Sequence, residues 1–136
     1  MSDAHEHSAG RILLIEDDGV TARFMVHVLG RRGGFDVVHA ADPASALEQA
    51  RSGPWDLVLT DAELPGMTGL DLLAELRRTC PGVPAAVVTA HKATDVTMAG
   101  LRAAADDFLE KPIQPDRLRD TVTALVARGR AARSPG

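Results

Sequence analysis

The stretch LVLTDAELPGMTGLDLLAELRR, residues 57–78, contains a complete transition from a strand to a helix. Its first part, Leu57–Leu59, is apolar without alternation, which is typical of a strand buried on both faces of a parallel sheet. Turn-forming residues come next, and then leucines recur at helical spacing: Leu70, Leu73 and Leu76. The predicted strand therefore ends at an acid, Asp61, just before the chain turns toward a helix.

The same alternation of a short aliphatic run and a helical segment occurs five times along the chain. The other runs are Ile12–Ile15, Phe35–Val38, Ala85–Val88 and, more weakly, Phe108–Leu109. The apolar positions of the first, second and fifth helical segments are Phe24, Val28 and Leu29; Ala44, Leu47 and Ala50; and Leu118, Val122 and Leu125. This pattern predicts an α/β fold, a doubly wound (βα)5 three-layer sandwich in which helices cover both faces of a parallel five-stranded sheet.

The length of 136 residues suits one domain, since a domain of this size buries roughly two thirds of its unfolded surface. We expect this domain to span residues 11–128. The polar residues 1–10 are predicted to form a disordered tail. Residues 129–136, GRAARSPG, lack an apolar face and are predicted to form a frayed end or a linker.

Charge and composition exclude several classes of function. The formal net charge is −4 and the basic residues are scattered, so this domain by itself is not expected to bind nucleic acid. No apolar run approaches the roughly 18 residues that a membrane span needs, and the amino terminus lacks the apolar run of a signal peptide. Cys80 is the only cysteine, which excludes an internal disulfide and suits a reducing, cytoplasmic location.

Acidic residues follow two of the predicted strands. Glu16, Asp17 and Asp18 come directly after the first strand, and Asp61 ends the third. Ligands of doubly wound sheets bind outside the carboxyl ends of the strands, so we expect these acids to converge. Like charges placed together repel unless a cation intervenes, and hard carboxylate oxygens suit Mg²⁺, or Mn²⁺ in its place. Asp18 is the exception, because it is better placed to open the first helix.

A hydroxyl and an ammonium group are predicted at the same edge of the sheet. The fourth run ends in Thr89, and the fifth leads to Lys111, which precedes Pro112. A phosphoryl group bound there would meet a metal ion, a lysine, a hydroxyl and main-chain N–H groups, which match the charge on its oxygens. Asp61 would supply the attacking carboxylate oxygen.

Together these segments resemble the receiver domain of two-component response regulators. The motifs occur in order: Glu16-Asp17-Asp18; Asp61 followed by Leu64-Pro65-Gly66-Met67-Thr68-Gly69; Thr89-Ala90; and Asp107-Phe108-Leu109-Glu110-Lys111-Pro112. The resemblance extends from about Arg11 to Arg128. It implies a flavodoxin-like sheet in the strand order 2-1-3-4-5, and a signalling switch that catalyses only its own phosphorylation and dephosphorylation.

The resemblance also implies a phosphoacceptor and a metal site. Asp61 would accept a phosphoryl group from a sensor histidine kinase or a phosphotransfer protein. Glu16, Asp17 and Asp61 would bind Mg²⁺ through their carboxylates, with Asp17 the more direct ligand of the acidic pair. The main-chain carbonyl of Glu63 would complete the protein's share of the metal ligands.

The resemblance also implies roles for three further residues. Lys111 would bond a phosphate oxygen, and its peptide bond to Pro112 would be cis. Thr89 and Phe108 would be the switch pair, Thr89 moving toward the phosphate and the ring of Phe108 turning inward. The outer surface of the fourth and fifth βα units would then serve a homodimer or a downstream target.

Some positions depart from the family pattern. Glu63 and His91 each lie two residues after a site residue, at positions that the resemblance places beside the path of the hydrolytic water, and we hypothesise that they set the lifetime of the phosphoryl group. Phe108 replaces the commoner tyrosine. Ala104 stands where a glycine usually closes the fourth helix, and alanine in a left-handed cap costs about 1 kcal/mol or more, so we expect that corner to be built differently.

Two other functions remain as alternatives. A phosphatase of the haloacid dehalogenase type also uses a strand-end aspartate, Mg²⁺ and a lysine, and Glu63 is a conceivable general acid for it. The second alternative is a degenerate receiver that acts only in protein contacts. The sequence leaves open whether the domain acts alone or is followed by an effector, and which kinase it serves.

Overall fold

The computed structural model of the protein describes residues 8–90 and 96–133. One predicted site residue, His91, lies outside the described residues, as do residues 1–7 of the predicted tail. Within the described part, Ala9 and Gly10 are not a free tail: Ala9 N donates to Gly34 O at 2.9 Å, and Gly10 is buried. The prediction of a disordered tail is therefore wrong for its last residues, because they pair with the loop before the second strand.

A parallel five-stranded sheet forms the centre of the described part of the molecule. Its strands are β1, Arg11–Ile15; β2, Asp36–Ala40; β3, Leu57–Asp61; β4, Ala85–Thr89; and β5, Asp107–Glu110. They lie side by side in the order β2-β1-β3-β4-β5, which confirms the predicted fold and strand order. A separate two-stranded antiparallel hairpin, Glu63–Leu64 with Met67–Thr68, follows β3.

Helices connect the strands. They are α1, Gly19–His27; α2, Pro43–Ala50; α3, Gly69–Thr79; α4, Val96–Ala104; and α5, Pro115–Arg133. A π-helical turn, Val28–Arg32, continues α1. Side chains cap three of the helices at their amino ends, since Asp18, Asp42 and Thr68 each accept a bond from the main-chain N–H three residues on. The expectation that Asp18 opens the first helix is confirmed.

Alternate residues of the strands pack into two separate hydrophobic cores. On β1, Leu13 and Ile15 pack with α2 and α3, whereas Ile12 and Leu14 pack with α1 and α5. All four side chains are at most 1% exposed, and burying each contributes roughly 1.5–3 kcal/mol. Both faces of the sheet are therefore covered, which explains why the strand sequences show no polar alternation.

Two predicted helix faces differ from the structure. In the first helical segment, Val28 and Leu29 are buried but Phe24 is 37% exposed, and Met25 is buried in its place. In α2, Ala44 is exposed and Ala46 takes the inward position. The fifth helix follows its predicted stripe: Leu118, Val122 and Leu125 are all buried.

The last helix is longer than predicted. It continues to Arg133, so the prediction of a frayed end or linker from residue 129 is wrong for 129–133. Gly129 is buried against Pro84, where a Cβ would come within 2.9 Å of the proline ring. Arg130 Nε then lies 3.2 Å from Asp56 Oδ1. Contacts with the start of β4 and β3 therefore stabilise a segment that has no apolar face of its own.

The amino ends of the strands are closed by Trp55. Its ring is 3% exposed, and its Nε1 donates to Ala50 O at 3.0 Å. The guanidinium carbon of Arg11 lies 4.2 Å from the ring centroid, and Arg11 Nη1 donates to Ser52 O at 2.8 Å. This cation–π contact covers the end of the sheet that lies opposite the acidic residues.

The corner after α4 is built without a left-handed residue, since none of the described non-glycine residues has a positive φ. Arg77 of α3 instead donates from Nη2 to the Ala104 carbonyl. The Asp106 carboxylate accepts from Ala85 N at 2.8 Å and lies 3.4 Å from both Arg77 Nη2 and Arg128 Nη2. A side chain from a neighbouring helix thus satisfies the helix end, as expected for a corner that lacks its glycine.

None of the helices in the described ranges is both long enough and apolar enough to cross a bilayer.

Candidate functional site

Four strands of the sheet bring polar residues to its carboxyl edge. Glu16 directly follows β1, Asp61 is the last residue of β3, Thr89 is the last residue of β4, and Lys111 directly follows β5. Glu16, Asp61 and Thr89 are buried, and Lys111 is half-buried. Parallel strands place equivalent ends side by side, so residues far apart in sequence meet at one place.

Lys111 joins the carboxyl ends of β1 and β3. Its Nζ donates to Asp61 Oδ2 at 2.9 Å and lies 3.1 Å from Glu16 Oε1. The ammonium is held in position by its own backbone, because Lys111 N donates to Thr89 O at 2.9 Å, and the Lys111-Pro112 peptide is cis as the resemblance implied. One cation therefore lies between two buried carboxylates.

The carboxylates of Glu16, Asp17 and Asp61 form a cluster. One oxygen of each lies within 4.8 Å of the others, and Asp17 is the exposed member. Three acids at this spacing exceed the single positive charge of Lys111, so the cluster has excess negative charge unless a cation binds. All their ligand atoms are oxygens, which is the donor set that Mg²⁺ and Mn²⁺ prefer.

The pKa values of the site reflect this crowding. Burial is the main cause that raises the pKa of Glu16 above its ordinary value, and the nearby Asp61 charge raises it further, against the bonds to Asp18 N and Lys111. Burial acts to lower the pKa of Lys111, but its contacts with Asp61 and Glu16 outweigh burial and raise that pKa. The folded structure therefore stabilises the charged form of Lys111 and destabilises the charged form of Glu16.

A divalent ion fits this set of residues. Glu16 Oε1 is buried, and the cation beside it among the described residues is Lys111 Nζ at 3.1 Å, which also bonds Asp61. Glu16 Oε2, by contrast, accepts from Asp18 N at 3.1 Å. One ammonium shared by two buried carboxylates leaves Glu16 Oε1 able to accept a further positive partner, and metal coordination would supply one. We expect Glu16, Asp17 and Asp61 to supply the ligands.

The segment after Asp61 is shaped by close main-chain contacts. Glu63 N donates to Asp61 Oδ1 at 3.2 Å, so the exposed Glu63 has its backbone at the acceptor carboxylate. Gly69 begins α3, and a Cβ there would lie 2.8 Å from Asp61 O and 2.9 Å from Ala62 Cα. A glycine is required at this position because the helix starts directly against the backbone of the site. The hairpin between them turns at Gly66, whose φ is 77°.

The predicted switch residues lie on neighbouring strands. Thr89 pairs with Glu110, and Val87, two residues before Thr89, pairs with Phe108. The ring of Phe108 is half-buried and packs against the core that contains α2 and α3. Thr89 is thus at the edge of the sheet beside the acids, and Phe108 is on the next strand, further from that edge.

His39 makes a contact that was not predicted from the sequence. Its Nε2 lies 2.7 Å from Glu16 O, and because a carbonyl only accepts, this nitrogen carries the proton. His39 belongs to β2, next to β1, so its ring fixes the backbone just after the first strand. No motif marks this histidine, and only the pairing of β1 with β2 reveals its partner.

Comparisons with known proteins agree with the site described above, in which acids and a lysine lie at the carboxyl edge of a parallel sheet. The family model described as the response regulator receiver domain matches residues 12–123. The chain belongs to this family, whose members are phosphoacceptor switches that work with histidine kinases in two-component systems. Family membership decides against the phosphatase alternative.

Curated relatives share substantial identity with the chain. It is 37% identical over 117 residues to the probable transcriptional regulatory protein TcrX of Mycobacterium tuberculosis, covering 86% of this chain and 50% of that protein. It is 40% identical over 118 residues to the DNA-binding response regulator MtrA of Mycolicibacterium paratuberculosis, covering 87% and 52%. The chain thus spans about half the length of these relatives.

Solved structures give the same fold. A CheY-like receiver domain protein from Methanospirillum hungatei superposes with a TM-score of 0.80 at 26% identity, covering 90% of this chain and 97% of that one. NtrX from Brucella abortus, solved in complex with ATP, superposes with a TM-score of 0.83 at 28% identity, covering 92% of this chain and 28% of that one.

Proposed function

We propose that Asp61 is the phosphoacceptor and that it takes a phosphoryl group from a histidine kinase or a phosphotransfer protein in a reaction that requires Mg²⁺ or Mn²⁺. The observation that carries this proposal is the position of its carboxylate. Asp61 ends the central strand of the sheet, is 8% exposed, and is held by Lys111 Nζ on one oxygen and by Glu63 N on the other. The carboxylate is therefore oriented before a donor arrives.

The transfer would be a displacement at phosphorus. An oxygen of the Asp61 carboxylate forms the new P–O bond, while the bond from phosphorus to the donor's imidazole nitrogen breaks and its electron pair stays on that nitrogen. Lys111, already at the carboxylate, would then bond a phosphoryl oxygen. A metal ion bound by Glu16, Asp17, Asp61 and the Glu63 carbonyl would neutralise charge on the phosphoryl oxygens. Water attack on phosphorus later returns the carboxylate and inorganic phosphate.

The switch would run through the fourth and fifth βα units. A phosphoryl group on Asp61 offers new acceptors to the Thr89 hydroxyl, which lies on the neighbouring strand at the same edge. Movement of Thr89 would open space that the ring of Phe108 can occupy, and since this ring carries no hydroxyl, packing alone would carry the signal. The outer face of these units would then bind a second copy or a downstream target.

Phosphoryl uptake from a small phosphodonor tests the proposal. Incubation with acetyl phosphate and Mg²⁺ should increase the intact mass by one phosphoryl group, and the adduct should be lost on treatment with hydroxylamine, as an acyl phosphate is. Chelation of the metal before the donor is added should prevent the adduct. Absence of an adduct in the wild-type chain would instead identify a degenerate receiver.

The lifetime of the phosphoryl group is expected to depend on Glu63 and His91. Glu63 is exposed beside Asp61, where a carboxylate can hold or orient the attacking water, and His91 follows β4 by two residues. Glu63→Ala and His91→Ala should each change the dephosphorylation rate by about three- to tenfold, which is less than the roughly 10²–10⁴-fold contribution of a full general base. The rate is measured from the decay of the adduct after donor removal. Rates equal to wild type in both variants would contradict this role.

The remainder of a longer regulator, where one exists, would set the output. TcrX is described as a transcriptional regulatory protein and MtrA as DNA-binding. We propose that this domain, like theirs, controls an effector, and that its own surface does not bind nucleic acid, because its net charge is −4.

A further inference from the structure

A groove of about 710 Å³ runs along α1 beside β2, the strand at the edge of the sheet. The residues that line it come from α1, from the π-helical turn and from β2. None of these lining residues belongs to the acid cluster, and none is itself acidic. A groove of this volume is large enough to hold a short peptide segment.

Two glycines line the groove, and neither is required by the fold. A Cβ at Gly19 would lie 3.7 Å from Arg23 Nη1, and one at Gly30 would lie 3.9 Å from Phe35 O, which are ordinary contact distances. Neither glycine has a positive φ. By contrast, a Cβ at Gly33 would come within 2.6 Å of a neighbouring ring. A glycine inside a helix costs about 1 kcal/mol relative to alanine, which applies to Gly30, and the absence of a side chain at Gly19 and Gly30 keeps the groove open.

Two arginines and two histidines supply the polar side chains of the groove, and of these His39 already donates its Nε2–H to Glu16 O. Arg23, His27 and Arg31 recur at every fourth position of the helical segment, and His39 faces them from β2. Neither the Arg23 nor the Arg31 guanidinium forms an ion pair with a described residue, although Arg23 is near enough to the exposed Asp18 to add, after the bonds from Thr21, to the lowering of the pKa of that carboxyl. On a chain whose net charge is −4, this local concentration of donors complements an acidic ligand.

The edge of β2 adds main-chain groups to the same groove. Among the described residues β2 pairs only with β1, and the Asp36 N–H and the Ala40 carbonyl both point to the β1 side. In a parallel strand the main-chain groups of alternate residues point to opposite sides, so those of Val37 and His39 face outward. An outward-facing strand edge can pair with an extended peptide.

We propose that the α1–β2 groove binds an extended acidic peptide segment of a partner protein. Carboxylates of the segment would face Arg23 and Arg31, its backbone would pair with the outer edge of β2, and its small apolar side chains would occupy the space above Gly19 and Gly30. The groove contains none of the acid-cluster residues, although His39 at its side contacts Glu16 O, so binding is measured on the unphosphorylated chain.

A labelled peptide of alternating glutamate and valine, about ten residues long, is a suitable probe, since strands of that length are common. Its binding to the full chain is measured by fluorescence anisotropy. Gly30→Leu should weaken binding about fivefold or more by filling the groove without changing charge. Arg23→Glu with Arg31→Glu should weaken it about tenfold or more. Arg51→Glu with Arg117→Glu, an equal charge change at exposed residues elsewhere, should leave affinity within about twofold.

Several results would overturn the proposal. They are no binding to the wild-type chain at millimolar peptide, an equal loss of affinity in the Arg51/Arg117 control, or unchanged affinity in Gly30→Leu. Equal binding of a flexible glutamate–glycine peptide would show that the groove is a general polyanion site. Displacement of the probe by inorganic triphosphate, added at the same total charge, would show the same. A dimer that Gly30→Leu dissociates would make a second copy the occupant. Unchanged phosphoryl uptake in Gly30→Leu shows that the variant is folded and keeps this test independent of the acceptor.

Discussion

Asp61→Asn should take up no phosphoryl group under conditions that convert the wild-type chain. The asparagine amide nitrogen is not a nucleophile toward phosphorus, and no other carboxylate among the described residues both ends a central strand and bonds Lys111 Nζ. The measurement is intact mass after incubation with acetyl phosphate and Mg²⁺, and the expected loss is complete within detection.

A matched control separates the loss of the acceptor from a general loss of charge. Asp116→Asn changes an exposed acid at the start of α5 and should leave phosphoryl uptake at the wild-type level. An adduct that persists in Asp61→Asn would show that another residue is the acceptor. Peptide mapping of such an adduct would then identify that residue.

Lys111→Met should destabilise the metal-free protein by about 2–3 kcal/mol near neutral pH. The substitution removes the cation that lies 2.9 Å from Asp61 and 3.1 Å from Glu16, and it leaves two buried carboxylates without a counter-charge. Removing one partner of a buried pair costs about 3–5 kcal/mol, and the partial exposure of Lys111 reduces this figure. The free energy of unfolding is obtained from urea denaturation followed by circular dichroism.

The loss of unfolding free energy in Lys111→Met should depend on pH in a defined direction. The folded pKa of Lys111 lies above the ordinary 10.5, so its stabilising contribution is present below that pH and is lost as pH rises through the folded pKa. The pKa of Glu16 is already raised by burial, and without Lys111 its neutral form is favoured further. The difference between wild type and Lys111→Met should therefore shrink in acid, where the carboxylates are protonated.

Saturating Mg²⁺ should also recover part of the lost stability of Lys111→Met, because a bound cation replaces the missing charge.

Arg117→Met removes an exposed cation that has no ion pair with a described residue, and it should leave stability within about 0.5 kcal/mol of wild type. A deficit that is constant from acid to neutral pH would show that lost side-chain packing, and not lost charge, is its cause.

Residues at strand ends were predictable from the sequence because topology alone brings them together. Once Asp61 and Lys111 are placed at the carboxyl ends of parallel strands, their proximity follows without knowledge of side-chain packing. The bond between His39 and Glu16 O is different. It depends on the register Leu14↔His39 between β1 and β2 and on the direction of one ring, and neither is visible in a sequence.

The errors in the helices have a similar physical basis. Phe24 and Met25 are adjacent, and helical spacing alone does not decide which of them faces the sheet; the structure buries Met25. Residues 129–133 look polar and glycine-containing, but Arg130 reaches Asp56, which is 74 positions away in sequence. Composition describes local tendency, whereas a contact over that distance exists only in the folded chain.

Trp55 gives the molecule a built-in optical probe of its folded state. It is the only tryptophan of the chain, it is 3% exposed, and it lies at the amino ends of the strands, opposite the acceptor. Its emission should shift to longer wavelength when the chain unfolds and the ring meets water. Chemistry at the far edge of the sheet should leave that emission unchanged. Intrinsic fluorescence therefore follows unfolding independently of phosphorylation, so that both can be recorded on one unlabelled sample.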